Sequence, residues 1–356
     1  MALFSRRRSS IGLDIGSSHV KLMELSQDAK SGQWSLVNFG LTRLPPEAIV
    51  DGAVMNTTVI VDAIRELVQK HRVRTKDVVC SVSGHSVIIK RVNLPLMTTE
   101  ELEESIQWEA EQYIPFDIND VNIDVQVLEG SHDPGQMEVL LVAARKELVN
   151  EYQTLISDAG LRPMVVDVDA FAVANMFELN YELPSDSVAL VNVGASNVNI
   201  HVLRDGSSAF TRDIGMGGRQ FTEEIQRTLN ISYEEAEAMK VGGEERDTEA
   251  VVPGEVTRVM NLVGDNLATE IHRSLDFYLS TSSDAGLSRI YLSGGAARTP
   301  GLAQAISKYT NLPCEVVDPF RNIRIDERDV NPAFLADVGP QAAVAVGLAV
   351  RRSGDK

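Results

Sequence analysis

The sequence predicts an α/β protein of two lobes, each built on a sheet that opens with a strand, a tight glycine turn and a return strand. Residues 11–21 have this pattern around Gly16, and residues 187–203 repeat it around Gly194. Residues 291–297 indicate a strand that runs into a double-glycine turn and a helix. Glycine turns of this kind expose backbone N–H groups that can converge on an anion. We therefore expect a phosphate-binding site between the two lobes.

Size and charge narrow the class of protein. A chain of 356 residues with 44% hydrophobic content is long enough for two domains with real cores. The net charge of −18 argues against nucleic acid as a partner, because that binding needs basic patches. Two cysteines are too few for a disulfide framework and favour a reduced, cytoplasmic setting.

Membrane signals are weak in the sequence. We expect no apolar run of the ~18–20 residues that a membrane span requires. The cluster Arg6–Arg8 lies beside Leu3 and Phe4. It is interpreted either as a contact with an anionic membrane or as a plain tail, because three charges alone bind weakly.

The first lobe is strand-rich with packed helices. Its predicted elements after the opening hairpin are a strand over 34–42, a helix over 57–71, strands over 77–83 and 164–168, a helix over 170–179 and a buried apolar helix over 341–350. The predicted core of this lobe comprises residues 10–86, 164–185 and 338–356.

A βαββα insert is predicted over residues 87–163. Its first helix opens with a capping box, Thr98 and Glu101. The apolar stripe of that helix is Leu102, Ile106, Ala110 and Tyr113. Trp108 points away from the stripe, so it is either a partner-binding anchor or packs on a neighbouring subdomain.

The second lobe has a sheet and a helical part. Its predicted core comprises residues 186–217 and 286–337, and residues 218–285 form a helical, nucleotide-capping subdomain. A second capping box, Ser232 and Glu235, opens one of the helices of this subdomain.

The first turn carries side chains suited to phosphate and metal. Gly16, Ser17 and Ser18 offer backbone N–H groups and hydroxyls. Asp14 would meet phosphate only through Mg²⁺ and its water, and Lys21 would neutralise phosphate charge. The alternative is an ordinary hairpin with a surface aspartate.

The second turn offers a similar cradle. Gly194 and Ala195 would hold phosphate by their backbone, and Asn192 brings an amide where the first turn has Asp14. The amide can hydrogen-bond a metal water or a phosphate oxygen but adds no charge. A plain hairpin is again the alternative.

Two glycine pairs each precede a helix. A planar base can lie against a backbone that lacks side chains, and helix N-termini favour phosphate. The predicted residues are Gly217, Gly218, Gly294, Gly295 and Ala296. Close packing or helix capping is the competing interpretation.

Two further pairs carry charge. Glu237 and Lys240 share a helix face and could reach a ribose and a base edge, or form a solvated ion pair. Asp167 and Asp169 follow an apolar strand, and strand alternation would place both side chains on the same side. Asp169 is our candidate for positioning a catalytic water, and a helix N-cap is the alternative.

Several site classes lack support in the sequence. No Gly-x-x-x-x-Gly-Lys-Ser/Thr motif occurs, which excludes a P-loop nucleotidase. The six histidines show no metal-ligand spacing, and no Gly-x-Ser-x-Gly motif supports a hydrolase triad.

Taken together and in their order along the chain, these motifs resemble those of the actin-like ATPase superfamily. More narrowly, they resemble its FtsA-like branch and the PilM family of type IV pilus assembly. The matching segments are 13–21 and 191–195 for phosphate, 168–174 and 341–348 for the connecting motifs, 292–297 for adenosine, and 109–116 and 217–225 for PilM in particular. The resemblance covers nearly the whole chain.

The resemblance implies an actin-like ATPase fold, which is a duplicated ribonuclease H-like fold of two lobes and four subdomains. It implies ATP and Mg²⁺ in the cleft. It also implies that the cytoplasmic tail of a PilN-like bitopic membrane protein docks beside the insert, with other pilus platform and motor proteins as further partners. The protein would then be cytoplasmic and peripheral at the inner membrane.

Two departures from the pattern qualify this expectation. Asn192 replaces the aspartate usual in the second phosphate motif, so we expect ATP binding with slow or absent hydrolysis. The terminal membrane helix of FtsA has no counterpart, which favours recruitment through a partner. A small-molecule kinase of the same fold and an FtsA-like division filament protein stay open as alternatives.

Overall fold

The computed structural model describes residues 10–50, 52–128, 135–183, 186–241, 254–282, 286–326, 330–352 and 354–355. The Arg6–Arg8 cluster therefore lies outside the described residues. By its internal packing the chain divides into two compact units. Unit 1 comprises Met1–Ser83, Lys146–Tyr181 and Asp318–Lys356, and unit 2 comprises Gly84–Arg145 and Glu182–Val317.

Sixteen strands and ten α-helices are interspersed along the described part of the chain. The strands are β1 (Ile11–Ile15), β2 (His19–Gln27), β3 (Trp34–Arg43), β4 (Ile49–Val50), β5 (Ala53–Val54), β6 (Asp77–Val82), β7 (Val87–Pro95), β8 (Val121–Leu128), β9 (Gln136–Arg145), β10 (Arg162–Val168), β11 (Ser187–Val193), β12 (Val198–Arg204), β13 (Ser207–Ile214), β14 (Leu287–Ser293), β15 (Cys314–Val316) and β16 (Ile323–Arg324). The helices are α1 (Thr57–Lys70), α2 (Thr99–Ala110), α3 (Lys146–Asp158), α4 (Asp169–Asn180), α5 (Gly218–Leu229), α6 (Tyr233–Val241), α7 (Gly254–Thr281), α8 (Leu302–Thr310), α9 (Pro332–Val338) and α10 (Ala343–Val350).

Unit 1 is built on a six-stranded sheet in the order β10-β6-β1-β2-β3-β16. Strands β1, β2 and β3 form an antiparallel meander, and β6 and β10 run parallel to β1. Unit 2 repeats this plan, with the order β13-β12-β11-β14-β15. There β11, β12 and β13 form the meander, and β14 and β15 are parallel to β11. The duplication predicted from the two glycine turns is confirmed at the level of topology.

The insert has a sheet of its own, in the order β7-β9-β8, and α2 packs on it. The buried residues of the α2 stripe are Leu102, Ile106 and Ala110. The Thr98–Glu101 capping box is formed, with Thr98 N–H donating to Glu101 and Glu101 N–H to the Thr98 hydroxyl. The predicted order βαββα is confirmed. Helix α3, which the prediction gave to the insert, packs instead on α1, β6 and β10 of unit 1. The four-subdomain division itself remains a prediction.

Helix α10 is the centre of the unit 1 core. Residues Ala343–Ala349 are all buried, and α10 contacts α4, β1 and β2. The approach is close enough that a Cβ built on Gly347 would lie 1.6 Å from the carbonyl oxygen of Ala172. Dense packing of this kind is why the helix has no polar face.

One helical stretch is an exception to the expectation that no apolar run is long enough to span a membrane. Residues Pro332–Val350 are long and apolar enough to cross a membrane, judged by length and composition alone. Within the described part of the chain this is the one candidate, and 67% of its most apolar window is buried. The apolar run predicted from the sequence, 341–350, is the second part of this stretch, and α9 extends it toward the N-terminus.

The packing of α10 on α4 gives a testable prediction. Gly347→Ala should lower the free energy of unfolding by about 3 kcal/mol, because the methyl group would overlap backbone that cannot move aside cheaply. Gly264→Ala is the matched control: it also lies inside a helix, but its Cβ would meet nothing closer than Phe221 at 4.0 Å. We expect the control to be neutral or to gain up to ~1 kcal/mol. Urea denaturation followed by circular dichroism measures both, and equal midpoints for the two variants would contradict the prediction.

Candidate functional site

In unit 1, the first glycine turn holds a carboxylate beside an amine. The Gly16 N–H closes the turn by donating to the His19 carbonyl, at 3.1 Å. Asp14 on β1 and Lys21 on β2 are directly opposed, and Lys21 Nζ donates to Asp14 Oδ2 at 2.8 Å. Both side chains are mostly buried, at 10% and 14% exposure. The pair therefore places an oriented carboxylate and a cation at the mouth of the turn.

Hydroxyl groups complete this turn. Ser17 and Ser18 are half-buried, and Ser18 Oγ lies 2.6 Å from His19 Nδ1. The Ser18 carbonyl accepts a hydrogen bond from Leu44 N–H at 2.8 Å, which fixes the backbone of the turn.

A second carboxylate lies on the same sheet edge as Asp14. The carboxyl ends of the parallel strands β10, β6 and β1 lie side by side in the sheet. Asp169, which follows β10, accepts a hydrogen bond from Ser81 Oγ on β6 at 2.5 Å. Burial raises the pKa of the Tyr152 phenol, and the charges of Asp169 and Asp14 raise it further. The two carboxylates thus act on one buried phenol.

Asp167 has a different environment from Asp169. Its oxygens accept hydrogen bonds from Val168 N–H at 2.8 Å and from Arg351 Nε at 2.9 Å. Burial raises the pKa of Asp167, and the Arg351 guanidinium opposes that rise. Strand alternation, from which both side chains were expected on the same side, does not apply to Asp169, because β10 ends at Val168 and Asp169 begins α4. The alternative of an Asp169 N-cap is wrong, since Val168 is the N-cap.

In unit 2, three backbone segments converge around the second glycine turn. Gly194 N–H closes that turn on the Asn197 carbonyl, at 2.9 Å. The Gly194 carbonyl accepts from Gly218 N–H at 2.9 Å, and the Ala195 carbonyl accepts from Arg219 N–H at 2.8 Å. The start of α5 is therefore hydrogen-bonded directly to the turn.

These segments are too close together for side chains. A Cβ on Gly217 would lie 2.6 Å from the Ala195 carbonyl oxygen. Gly294 has φ +93°, and its Cβ would lie 2.3 Å from the Val193 carbonyl oxygen. A Cβ on Gly218 would lie 3.0 Å from that of Ala296. The structure thus brings the turn, the Gly217–Gly218 pair and the Gly294–Ala296 corner into one backbone cradle. Close packing, the competing interpretation, is confirmed at Gly217 and Gly294, and nucleotide binding by these glycines stays a prediction.

The ion pair of α6 borders this cradle. Lys240 Nζ donates to Glu237 at 2.6 Å, to Thr222 Oγ1 at 3.0 Å and to the Gly218 carbonyl at 3.3 Å. The Thr222 hydroxyl also donates to Glu237. Lys240 is only 12% exposed, so this is not the solvated pair that the sequence left as an alternative. The pair is fixed against the glycine-rich start of α5.

Asn192 belongs to a buried series of hydrogen-bonded polar side chains, whose other members were not among the predicted site residues. Its amide nitrogen donates to Asn199 Oδ1 at 3.1 Å, and its oxygen accepts from Ser293 Oγ at 3.3 Å. Asn199 in turn donates to Asp213 at 2.8 Å. Asn192 opposes Asn199 across β11 and β12 just as Asp14 opposes Lys21, so the duplicated spacing was a signal for Asn199. Nothing local indicated Asp213.

Trp108 is the most exposed large apolar side chain described in the insert, at 76%. It does not pack on a neighbouring part of the described chain, so the packing alternative is wrong. An exposed indole of this size is typical of a partner contact.

Comparison with known proteins identifies the family. The family model described as type IV pilus assembly protein PilM matches residues 12–353. The chain belongs to the PilM family. A solved structure, described as a PilM-PilN type IV pilus biogenesis complex, is similar over 97% of this chain and 98% of that one, with 30% identity and a TM-score of 0.85.

More distant relatives agree on the fold. The cell division protein FtsA of Neisseria meningitidis is 22% identical over 92% of this chain and 88% of its own length. FtsA of Bacillus subtilis is 25% identical over 65% of this chain, which spans only 57% of that relative. The solved EutJ of Carboxydothermus hydrogenoformans has a TM-score of 0.58 at 15% identity. The predicted actin-like ATPase fold is thereby confirmed for this PilM-family chain.

Proposed function

We propose that this PilM-family protein is an ATP-binding scaffold of the type IV pilus assembly platform. The observation that carries the proposal is the cradle of unit 2, where the second glycine turn, the start of α5 and the Gly294 corner meet backbone to backbone, with no room for a side chain at Gly217 or Gly294. Such a surface suits phosphate and the flat face of a nucleoside. MreB5 of Spiroplasma citri, a solved neighbour with a TM-score of 0.51 and 13% identity, is described as bound to ADP.

Each residue of the cradle has a proposed task. Gly194 and Ala195 would hold phosphate by backbone groups. The Gly217–Gly218 pair and the corner Gly294, Gly295 and Ala296 would receive the adenosine. Glu237 and Lys240 would hydrogen-bond ribose and base, because their mutual ion pair already fixes them beside Gly218.

The first turn, in unit 1, would contribute charged groups to nucleotide binding. Gly16, Ser17 and Ser18 would bind phosphate, and Lys21 would neutralise it. Asp14 would hold Mg²⁺ through water, since Mg²⁺ in nucleotide sites keeps several waters and uses few carboxylates. The bound metal would supply neutralisation of phosphate charge. The residues present fit this role because the Asp14 carboxylate is already oriented by Lys21.

Hydrolysis is proposed to be slow or absent. Asp169 would position water, and its carboxylate is oriented by Ser81. Asn192 supplies no charge, and its amide is engaged by Asn199 and Ser293. No specific observation favours the small-molecule kinase, for which Asp167 would be a poor base while paired with Arg351. None favours the FtsA-like filament over the pilus role that the family match indicates.

The proposed partner is the cytoplasmic tail of a PilN-like bitopic membrane protein. The supporting fact is that a similar solved protein was captured in a complex described as PilM-PilN. Through this tail the protein would be cytoplasmic and peripheral at the inner membrane, in contact with other platform and motor proteins. Trp108 is proposed as an anchor for a partner.

Removing the metal-site carboxylate tests nucleotide binding. Asp14→Ala should weaken the Mg·ATP affinity at least ~tenfold, because a charge-assisted contact of this kind contributes ~1.5–3 kcal/mol. Asp62→Ala removes an exposed carboxylate of the same unit and should leave the dissociation constant unchanged. Isothermal titration calorimetry measures both, and equal affinities for the two variants would refute the site.

Fluorescence tests the role of Trp108. The chain has two tryptophans, so Trp34→Phe leaves Trp108 as the single reporter. A PilN-like tail peptide should shift its emission to the blue on binding, because the indole becomes buried. In the wild-type background, Trp108→Ala should weaken the peptide at least ~tenfold, as for an interface anchor.

The control for this experiment is Met55→Ala, another exposed apolar side chain, at 66%, that lies in unit 1. It should bind the peptide as the wild type does. Unshifted emission at saturating peptide, with equal affinities of the two alanine variants, would exclude Trp108 from the interface.

A further inference from the structure

The segment that leads into the insert contacts the phosphate-binding part of unit 2. Gly84 and His85 lie before β7, the first strand of the insert, and are separated from it by one residue. Gly84 has φ +88°, and its Cβ position lies 3.6 Å from the Asn197 amide nitrogen of the second glycine turn. His85 Nε2 lies 3.8 Å from the Cβ position of Gly215, just before the Gly217–Gly218 pair. The root of the insert thus borders two segments of the cradle.

Asp213 is the polar group that ties this root to the turn. It is the penultimate residue of β13, and each of its two carboxylate oxygens accepts one hydrogen bond. Gly84 N–H donates to Oδ2 at 2.6 Å, and Asn199 Nδ2 donates to Oδ1 at 2.8 Å. The insert root and the buried amide chain therefore meet at a single side chain.

The other hydrogen-bonded side chains of this series extend to Asn192, near the end of β11 and just before the second glycine turn. Asn199 Oδ1 accepts from Asn192, and Asn192 Oδ1 accepts from Ser293. Ser293, Asn192 and Asn199 are all buried. Because a carboxylate only accepts, Asp213 sets the orientation of the Asn199 amide, and Asn199 then sets that of Asn192. A rotation of any amide leaves a buried donor facing a donor, which is costly.

We infer that Asp213 is a positioning residue that couples the second phosphate turn to the insert. The inference rests on the proposed function, since it takes a nucleotide to be the ligand of that turn. Binding of phosphate at the second glycine turn changes or stabilises the orientation of the Asn192 and Asn199 side-chain amides. Asp213 transmits this effect to the Gly84 N–H, just before β7. By linkage, a partner held on the insert acts back on nucleotide affinity through the same residue.

Asp213→Asn is the appropriate variant because an amide accepts at one oxygen only. One of the two donors, Gly84 N–H or Asn199 Nδ2, must then face the new NH₂ group, while size and shape are kept. Asp205→Asn is the matched control. It lies in the exposed turn between β12 and β13, and asparagine tolerates its positive φ of 50°.

The measurement is hydrogen–deuterium exchange of the insert strands β7 and β9, with and without Mg·ATP at a concentration that saturates each variant. The Mg·ATP affinity of each variant is measured first by calorimetry. In the wild type and in Asp205→Asn, Mg·ATP should slow this exchange by ~fivefold or more, the lower end of usual coupling. In Asp213→Asn, the exchange rate of these strands should be about the same with and without Mg·ATP, although ATP is bound.

A second variant keeps the inference testable if Asp213→Asn does not fold. Asn199→Ala removes the middle of the chain while Asp213 keeps its bond to Gly84, and it should also abolish the effect of ATP on the insert. The inference is overturned if ATP binds but leaves the insert of the wild type unchanged, or changes it equally in Asp213→Asn. Absence of ATP binding to the wild type would overturn the proposed function, and the inference with it.

Discussion

The close approach of backbone to backbone in unit 2 is the constraint on which the proposed function depends. The first residues of α5 donate their N–H groups to carbonyls of the second glycine turn, and the Gly294 corner lies against the end of β11. A methyl group at Gly217 or Gly294 would overlap backbone atoms, so the geometry requires glycine there. Because the cradle is made of backbone, its shape depends on these two glycines rather than on the arrangement of larger side chains. The Glu237–Lys240 pair then fixes one border of it.

The duplicated hairpin explains why the two turns have different chemistry. The same register position holds a salt bridge in unit 1, between Asp14 and Lys21, and an amide pair in unit 2, between Asn192 and Asn199. A charged pair can organise a metal and neutralise phosphate. An amide pair can only orient hydrogen bonds, and here it is continued to Asp213. We attribute charge neutralisation to the first turn and a positional role to the second.

Local patterns predicted what local interactions determine. Both capping boxes form, at Thr98 and at Ser232, because each needs only residues three apart. The α2 stripe is buried and Trp108 is exposed, as helical periodicity predicts. The close backbone approach at Gly217 and Gly294 also agrees with the sequence, in which glycine pairs precede helices.

Contacts distant in sequence were not predictable in this way. Helix α3 follows β9 without a break, so the sequence favoured placing it in the insert, yet its apolar face packs on unit 1. Asp167 is held by Arg351, which lies 184 residues away. Asp213 bonds Gly84 across 129 residues. The periodicity of apolar residues in the sequence does not indicate such contacts, because only the tertiary fold brings these residues together.

The most direct measurement of the central claim compares two strained glycines. Gly294 and Gly301 both have positive φ, of 93° and 82°, so alanine strains the backbone at each position, and more at Gly294, whose Cβ would also overlap backbone atoms. The Cβ of Gly294 would overlap the Val193 carbonyl oxygen and push apart two backbone segments of the cradle, whereas that of Gly301 would meet nothing closer than Asn261 at 3.7 Å. For protein shown to be folded, calorimetry should find that Gly294→Ala loses Mg·ATP affinity at least ~tenfold while Gly301→Ala keeps it. Wild-type affinity in folded Gly294→Ala would contradict the account.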